Sequence, residues 1–402
     1  MEKTNYTNYK RTKLACYAAY FTMSSVFSLP PLLFVTFHEM YGVSWTLLGT
    51  LVLTNFCTQF AVDMVFTLFS KKFNIQKVIR IMPCITALGL FVYALIPLLF
   101  PEIAYVGLLI GTVIFSVSAG LSEVLLSPVI AAIPSKDPQR DMSLLHSLYA
   151  FGVFTVVVLG TLFLQCFGAT HWMYLAMLFG VLPLIASLLF FLSPMPPLAE
   201  AEGTQKTSVG RGRTVGLLLC VGCIFLGSCA ENVMSNWISS YMEAQLHIDK
   251  AIGDIVGMAM FAILLGITRI SYAKWGRNIG KMLLFSMIGA SLCYLVAGLS
   301  SYAIPAFIAC ILTGVFTAML WPGTLILMEE KVPNAGVTAY ALMAAAGDFG
   351  ASLAPQLMGI VADRSGLQTG MLISAVFPLL GVLLLVGMLR FFRRKGSEEA
   401  VS

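Results

Sequence analysis

The feature of this sequence that most limits its fold is the recurrence, along its whole length, of apolar runs of about twenty residues. As a helix, each run is long enough to cross a hydrocarbon core about 30 Å thick. Of the 402 residues, 58% are hydrophobic and only 11% are charged, a balance far from that of a soluble domain. Barrel strands are excluded, because the runs are uniformly apolar and too long. The sequence therefore predicts an all-α polytopic membrane protein.

Twelve transmembrane helices are predicted. The predicted spans are 14–37, 44–69, 78–100, 104–133, 141–167, 171–193, 214–243, 250–274, 280–300, 303–328, 336–362 and 367–392.

These spans divide into two six-helix bundles, residues 1–193 and 214–402, with a polar Pro- and Gly-rich linker at 194–213. Short echoes between the halves, such as Phe151-Gly152 and Phe349-Gly350, indicate two parallel repeats. Transporters use this arrangement to build a site near the bilayer midplane.

Basic residues set the predicted orientation. With the N-terminus in the cytoplasm, only Lys250 and Arg364 of the 24 Lys and Arg residues fall outside. This agrees with the positive-inside rule and places the linker and both termini in the cytoplasm. The net charge of +5 therefore reflects topology and predicts no nucleic-acid partner. We expect a monomer in the plasma membrane, with the short loops typical of a bacterial inner membrane.

Four acidic residues lie deep inside predicted spans, away from their ends: Asp63, Glu123, Glu231 and Asp348. The sequence places no Lys or Arg at a comparable depth to neutralise them. Each ionised, lipid-facing carboxylate would cost roughly 2.5–3.5 kcal/mol at the bilayer centre. The four side chains must therefore face water or a polar cavity, or hold protons, and either arrangement indicates transport.

Depth separates the predicted roles of these acids. Glu123 and Glu231 lie nearest the middle of their spans, where loss of hydration favours a protonated carboxyl group, and are assigned to proton coupling. Asp63 lies about two turns from the cytoplasmic edge. It is assigned to a gate, together with Arg269 and Asp348. For Asp348, a structural role in accepting hydrogen bonds from neighbouring helices is an equal alternative.

The seventh span carries a continuous polar stripe. Its members follow helical spacing and are Ser228, Glu231, Asn232, Ser235, Asn236 and Ser239. In lipid, such a face must point to a wet cavity or to polar partners on another helix, and a helix–helix seam is the alternative.

A predicted substrate site combines amides and flat aromatic rings. Asn and Gln amides both donate and accept, which suits substrate hydroxyl groups, and Trp rings can stack on a sugar or an aromatic ligand. The assigned residues are Asn55, Gln59, Asn232, Asn236, Trp237 and Trp321.

The chain resembles the major facilitator superfamily over essentially its whole length. The resemblance rests on the two-times-six layout, the basic loop at 70–74, Gly266 and Arg269 in the second half, and the run Ala346-Gly347-Asp348-Phe349-Gly350. It implies the superfamily fold and a transport function.

Within that superfamily, the chain is most similar to the fucose-permease-like branch of sugar–proton symporters. The similarity lies in Ala230-Glu231, followed by Asn236-Trp237, and in Glu123 in the fourth helix. It implies that Glu123 is the protonatable residue and that the seventh helix forms part of the sugar site. The first span lacks the acid that members of the branch can carry, so Glu231 is the candidate substitute.

The predicted function is secondary active transport by alternating access, with proton-coupled uptake of a sugar or polyol. The alternative is proton-driven efflux of cationic or amphipathic compounds, with Glu231 holding the cation. A polytopic membrane enzyme is less well supported, because His146 lies alone inside a span without a nucleophile–base constellation. No phosphate-binding motif, cofactor motif or metal-ligand set is present, so no cofactor and no catalytic residue are predicted.

Overall fold

Helices form almost all of the computed structural model, which describes residues 9–69, 72–135, 138–197, 211–275, 278–332 and 336–399. Within these ranges no strand occurs. A helix satisfies its backbone N–H and C=O groups within one segment, which a bilayer requires because it offers no water to hydrogen-bond them. The all-α prediction is confirmed.

The chain forms two compact units. The first comprises Met1–Val43 and Cys57–Ala201, and the second Ser44–Phe56 and Glu202–Ser402. The helices before the linker are α1 (Lys10–Leu32), α2 (Phe34–Tyr41), α3 (Trp45–Phe69), α4 (Ile75–Leu99), α5 (Ala104–Ala132), α6 (Pro138–Phe167) and α7 (Trp172–Phe191). The first half of α3 thus belongs to the second unit.

After the linker, the described residues form nine α-helices and two π-helical segments. The helices are α8 (Arg211–Ser240), α9 (Lys250–Ile252), α10 (Met260–Trp275), α11 (Ile279–Leu299), α12 (Ala303–Thr317), α13 (Leu320–Lys331), α14 (Gly336–Ser365), α15 (Leu367–Ser374) and α16 (Val376–Glu399). The π-helical segments, Tyr241–Gln245 and Gly253–Ala259, follow α8 and α9. Such segments are rare and often lie at functional sites.

Helix bounds follow the predicted spans to within a few residues, except that α16 continues to Glu399, beyond the predicted end at 392. Twelve spans fit the architecture. By length and composition, nine segments in the described part of the chain can cross a membrane, or ten with the bent pair α1 and α2. One of these segments, Leu342–Phe392, is 51 residues long. It is interrupted at Gly366, whose φ of +85° lets the chain leave α14 and begin α15.

Prolines account for the bend in the first span. α1 and α2 meet at an angle of 48°. Pro30 and Pro31 lack the amide hydrogens that would bond to carbonyls one turn earlier, so the helix loses two of its backbone bonds here.

The two halves repeat each other in detail. Asn74 caps α4 by accepting from the Lys77 amide, and Asn278 caps α11 by accepting from the Lys281 amide, both at 3.0 Å. Both caps stand in the same short run, Asn-Ile-x-Lys.

The Phe-Gly echo is also structural. A Cβ on Gly152 of α6 would overlap Ser24 Oγ and lie 2.7 Å from the Phe21 carbonyl oxygen on α1. A Cβ on Gly350 of α14 would lie 2.6 Å from the Phe225 carbonyl oxygen on α8. Equivalent glycines therefore bring equivalent helix pairs into close contact in each half.

The predicted linker lies mostly outside the described residues, since 198–210 are not among them. α8 already begins at Arg211, within the predicted linker range of 194–213. The domain boundaries at 193 and 214 stay predictions.

Candidate functional site

The polar stripe of α8 is held by hydrogen bonds along its own helix. Asn232 Nδ2 donates to the Ser228 carbonyl at 3.1 Å, and Asn236 Nδ2 donates to the Asn232 carbonyl at 2.9 Å. Ser228 Oγ donates to the Gly347 carbonyl of α14 at 2.7 Å. Among the described residues, the amide oxygens of Asn232 and Asn236 receive no hydrogen bond. The stripe thus touches α14 at one end and presents two acceptors further along.

Glu231 on this stripe forms an ion pair with Arg269 of α10. The Nη2 atom of Arg269 lies 3.1 Å from Oε1 and 3.3 Å from Oε2 of Glu231. The Glu231 side chain is 20% exposed and that of Arg269 is 40% exposed. Because charged partners at this distance form a strong, directional pair, Glu231 is fixed beside Asn232.

Arg269 also reaches the interrupted tenth span. Its Nε donates to the Ala318 carbonyl at 2.8 Å, at the junction of α12 and α13. Pro322 stands four residues later and has no amide hydrogen to give to that carbonyl. The guanidinium therefore supplies the hydrogen bond that the helix cannot make.

The expectation that no Lys or Arg lies deep enough to neutralise the intramembrane acids is wrong for Glu231. From the sequence, Arg269 stands near the end of span 250–274. A helical side chain points toward the N-terminus of its helix, so the long Arg269 side chain carries its charge roughly one turn back toward midspan. The length and direction of the Arg269 side chain, which a count of residues along the span does not consider, bring the two charges together.

The two predicted Trp residues occupy different settings. Trp237 is fully buried, donates Nε1–H to the Pro355 carbonyl at 3.1 Å and packs edge-on against Trp45, with ring centroids 6.0 Å apart. Stacking on a ligand would require this ring to be uncovered. Trp321 is half-buried, and its ring lies so close to Gly347 that a Cβ there would overlap it.

In the first unit, Asp63 and Glu123 lie on neighbouring helices. A Cβ on Gly120 of α5 would lie 3.2 Å from the Cα and carbonyl oxygen of Gln59 on α3. Glu123 and Asp63 follow these two residues by about one turn. The two carboxylates are within electrostatic range of each other, and Glu123 is also within range of the Tyr20 hydroxyl.

No described Lys or Arg pairs with either of these carboxylates. Asp63 Oδ1 is buried and, in the described part of the chain, has no hydrogen-bond partner. The Glu123 side chain is exposed at the surface of its helix. This arrangement differs from that of Glu231, whose charge is matched by Arg269.

Three further predicted site residues, Asn55, Gln59 and Asp348, are buried or half-buried. Gln59 and Asn55, both on α3, are 4% and 7% exposed, so their amides lie within the protein and not at a surface. Asp348 on α14 is half-buried and follows Gly347, which accepts from Ser228. Each of these three side chains has interactions within the protein.

Another acid, Asp254, lies near the start of the predicted span 250–274 and was assigned no role from the sequence. It is 1% exposed, accepts a hydrogen bond from Ser239 at the end of the polar stripe, and lies 3.4 Å from Lys250 Nζ. Lys250 also pairs with Glu243 at 2.9 Å. The signal in the sequence was the four-residue spacing of Lys250 and Asp254, which places the two side chains on one helical face.

Asp363 of α14 is a second residue that was missed. Its carboxylate accepts from the backbone amides of Trp45 and Thr46 at 2.8 and 2.7 Å, at the start of α3. It thereby satisfies donors that a helix N-terminus leaves free. Since the cap comes from a residue more than 300 positions later, no local pattern reveals it.

Comparison with known proteins places this architecture. A family model described as the Major Facilitator Superfamily matches residues 14–355. A search of curated protein sequences finds no match.

Solved structures with the same fold include several transporters. A D-xylose–proton symporter superposes with a TM-score of 0.77 at 16% identity, over 96% of this chain and 98% of that one. A bacterial homologue of the human lysosomal transporter Spinster gives 0.75 at 12% identity, over 95% and 97%. The fucose:proton symporter of E. coli gives 0.61 at 16% identity, over 94% and 99%. At such identities the likeness shows the fold alone.

Proposed function

We propose that this chain, which belongs to the Major Facilitator Superfamily, carries a neutral sugar or similar polyol across the membrane together with protons. Membership follows from the family match, which spans well over half of the 402 residues. A transporter of this family binds a small-molecule substrate in a membrane. The choice of substrate and of coupling ion is the proposal.

The observation that carries the proposal is the face of α8. Glu231, fixed by Arg269, stands beside Asn232 and Asn236, whose amide oxygens accept nothing from the described residues. Asn232 and Asn236 are four residues apart, so these acceptors lie slightly more than one turn apart, about 6 Å along the helix. Hydroxyl groups on adjacent carbons of a sugar or polyol are donors that can bond to such acceptors.

Proton coupling is assigned first to Glu123. This carboxyl group has the Asp63 carboxylate as an electrostatic neighbour and no cationic partner among the described residues. Two carboxylates within electrostatic range of each other in a membrane favour binding of a proton to one of them, because both charges together are costly. Glu231 is the second candidate. Arg269 balances its charge until a proton binds to the carboxylate or a substrate separates the pair.

Proton movement tests this proposal. Wild type, Glu123→Gln and Glu231→Gln are reconstituted into liposomes, and external pH is followed with a dye while monosaccharides and polyols are added. Glu102→Gln serves as the control, because Glu102 is an exposed carboxylate in the turn before α5. We expect external alkalinisation with one sugar or polyol, unchanged in Glu102→Gln and lost in Glu123→Gln. Sugar counterflow that persists without proton movement in wild type would refute proton coupling.

Efflux of cationic compounds is the second candidate, and the unmatched carboxylates of Asp63 and Glu123 favour it. An organic cation could neutralise the pair in place of a proton. The same liposomes are therefore challenged with cationic dyes. A response to dyes alone, lost in Glu123→Gln, would replace the sugar proposal with this one.

A further inference from the structure

The contacts of Arg269 join three spans at one guanidinium group. Nη2 bonds to both carboxylate oxygens of Glu231 on α8, and Nε bonds to the Ala318 carbonyl between α12 and α13. The guanidinium is planar and its donors are fixed relative to one another. Holding the carboxylate therefore also aims Nε at the carbonyl.

We propose that Arg269 is a positioning residue through which the charge on Glu231 sets the bend of the tenth span at Ala318. The inference rests on the proposed function only in requiring that Glu231 change its charge during transport. When Glu231 is neutral, Nη2 loses its strong acceptor and the guanidinium is free to turn. Nε then no longer holds the Ala318 carbonyl.

Because the tenth span is interrupted, the Ala318 carbonyl depends on Arg269 for a hydrogen bond. In an unbroken helix the amide four residues later would donate to it, but that residue is Pro322. Met319, at the junction, has φ −96° and ψ −1° and lies outside both helices. A carbonyl that loses its donor in an apolar setting draws in water or shifts its backbone, so α12 and α13 change their mutual angle.

The substrate face lies next to this junction. Trp321 stands at the start of α13, and its ring packs on Gly347 of α14. Gly347 in turn accepts from Ser228, one turn before Glu231 on α8. A change of bend at Ala318 would therefore move a ring that borders the polar stripe.

Two titratable groups lie next to Glu231 among the described residues. Arg269 on α10 binds its carboxylate, and Tyr294 on α11 binds the backbone of the preceding residue, Ala230. Tyr294 donates its hydroxyl to the Ala230 carbonyl at 2.7 Å. Because the carboxylate oxygens of Glu231 bond to Arg269, replacing Glu231 alone isolates the charge on this pair.

Hydrogen–deuterium exchange of the peptide covering 313–324 tests the inference without any substrate. The variants are Glu231→Gln, Arg269→Lys, Pro322→Ala and the double variant Glu231→Gln/Pro322→Ala, all in the full-length protein. Pro322→Ala gives the Ala318 carbonyl a helical amide donor. Glu330→Gln is the control, because it removes an exposed carboxylate of α13 that pairs with Lys331 instead of Arg269.

We expect roughly tenfold faster exchange in Glu231→Gln and in Arg269→Lys, in keeping with the loss of a charge-assisted hydrogen bond. Glu330→Gln should match wild type. In the Pro322→Ala background the Glu231→Gln change should have no effect, since the carbonyl then has its own donor.

Two results would overturn the inference. One is wild-type exchange in folded Glu231→Gln and Arg269→Lys. The other is an effect of Glu231→Gln that is equally large with Ala at position 322. A negative sugar and proton assay would not change the exchange result, and a negative exchange result would not change the sugar and proton assay. The two proposals can therefore be refuted independently.

Discussion

Arg269 Nε and the Ala318 carbonyl oxygen lie 2.8 Å apart, so a side chain of α10 completes the hydrogen bonding of a span that Pro322 interrupts. The same guanidinium neutralises Glu231. One residue thus satisfies both a buried backbone group and a charge, and each is costly to leave unmatched within a membrane.

Removing Arg269 alone should therefore destabilise the fold more than removing the ion pair. We expect Arg269→Ala to lower the free energy of unfolding by about 2 kcal/mol, because it leaves an uncompensated carboxylate and an unbonded carbonyl. Adding Glu231→Ala should recover part of that loss. Thermal unfolding in detergent measures both variants, and a double variant less stable than Arg269→Ala would contradict the expectation.

The amide oxygens of Asn232 and Asn236, which accept no hydrogen bond from the described residues, are expected to contribute to substrate affinity. Asn232→Ala and Asn236→Ala should each raise KM for the transported solute roughly 3- to 10-fold, as expected for one lost hydrogen bond. The control is Gln76→Ala, which removes an exposed amide in the first turn of α4. Initial rates of uptake into liposomes give KM. An unchanged KM in both variants would remove these amides from the substrate site.

Replacing glycine with alanine should change stability in opposite directions, depending on how closely a neighbouring helix approaches the glycine. Gly152→Ala and Gly350→Ala should each cost about 1–3 kcal/mol, because the added methyl group would overlap a neighbouring helix. Gly266→Ala and Gly387→Ala have no atom within 4 Å of the added Cβ, so they should cost nothing and should favour the helix. Thermal unfolding of all four in detergent checks this, and equal losses at the two kinds of position would refute it.

The hydrogen bonds that Asp363 accepts at the start of α3 should stabilise the folded protein. Asp363→Ala should cost about 1 kcal/mol, because the amides of Trp45 and Thr46 lose their acceptor. Asp363→Asn keeps one oxygen acceptor and should fall between that variant and wild type. Arg364→Ala changes the exposed neighbouring residue and is the control. Unfolding midpoints that do not follow this order would show that the cap contributes little.

Sequence patterns predicted the spans well because membrane insertion depends on local composition. The bounds of α4, α5 and α11 fall within a few residues of spans 78–100, 104–133 and 280–300. The same patterns marked the stripe on α8, since a period of 3.6 residues fixes which side chains share a face.

Sequence alone determined the membrane class, the positions of the spans, the two repeats and the face of α8 that carries Glu231. Tertiary structure decided that Arg269 balances that charge, that Trp237 is fully buried and that Asp363 caps a helix more than 300 residues away. The reason is physical: hydrophobicity and helical periodicity act between residues close in the chain. Partners of a charge or a carbonyl depend on which helices pack together and how far a side chain reaches.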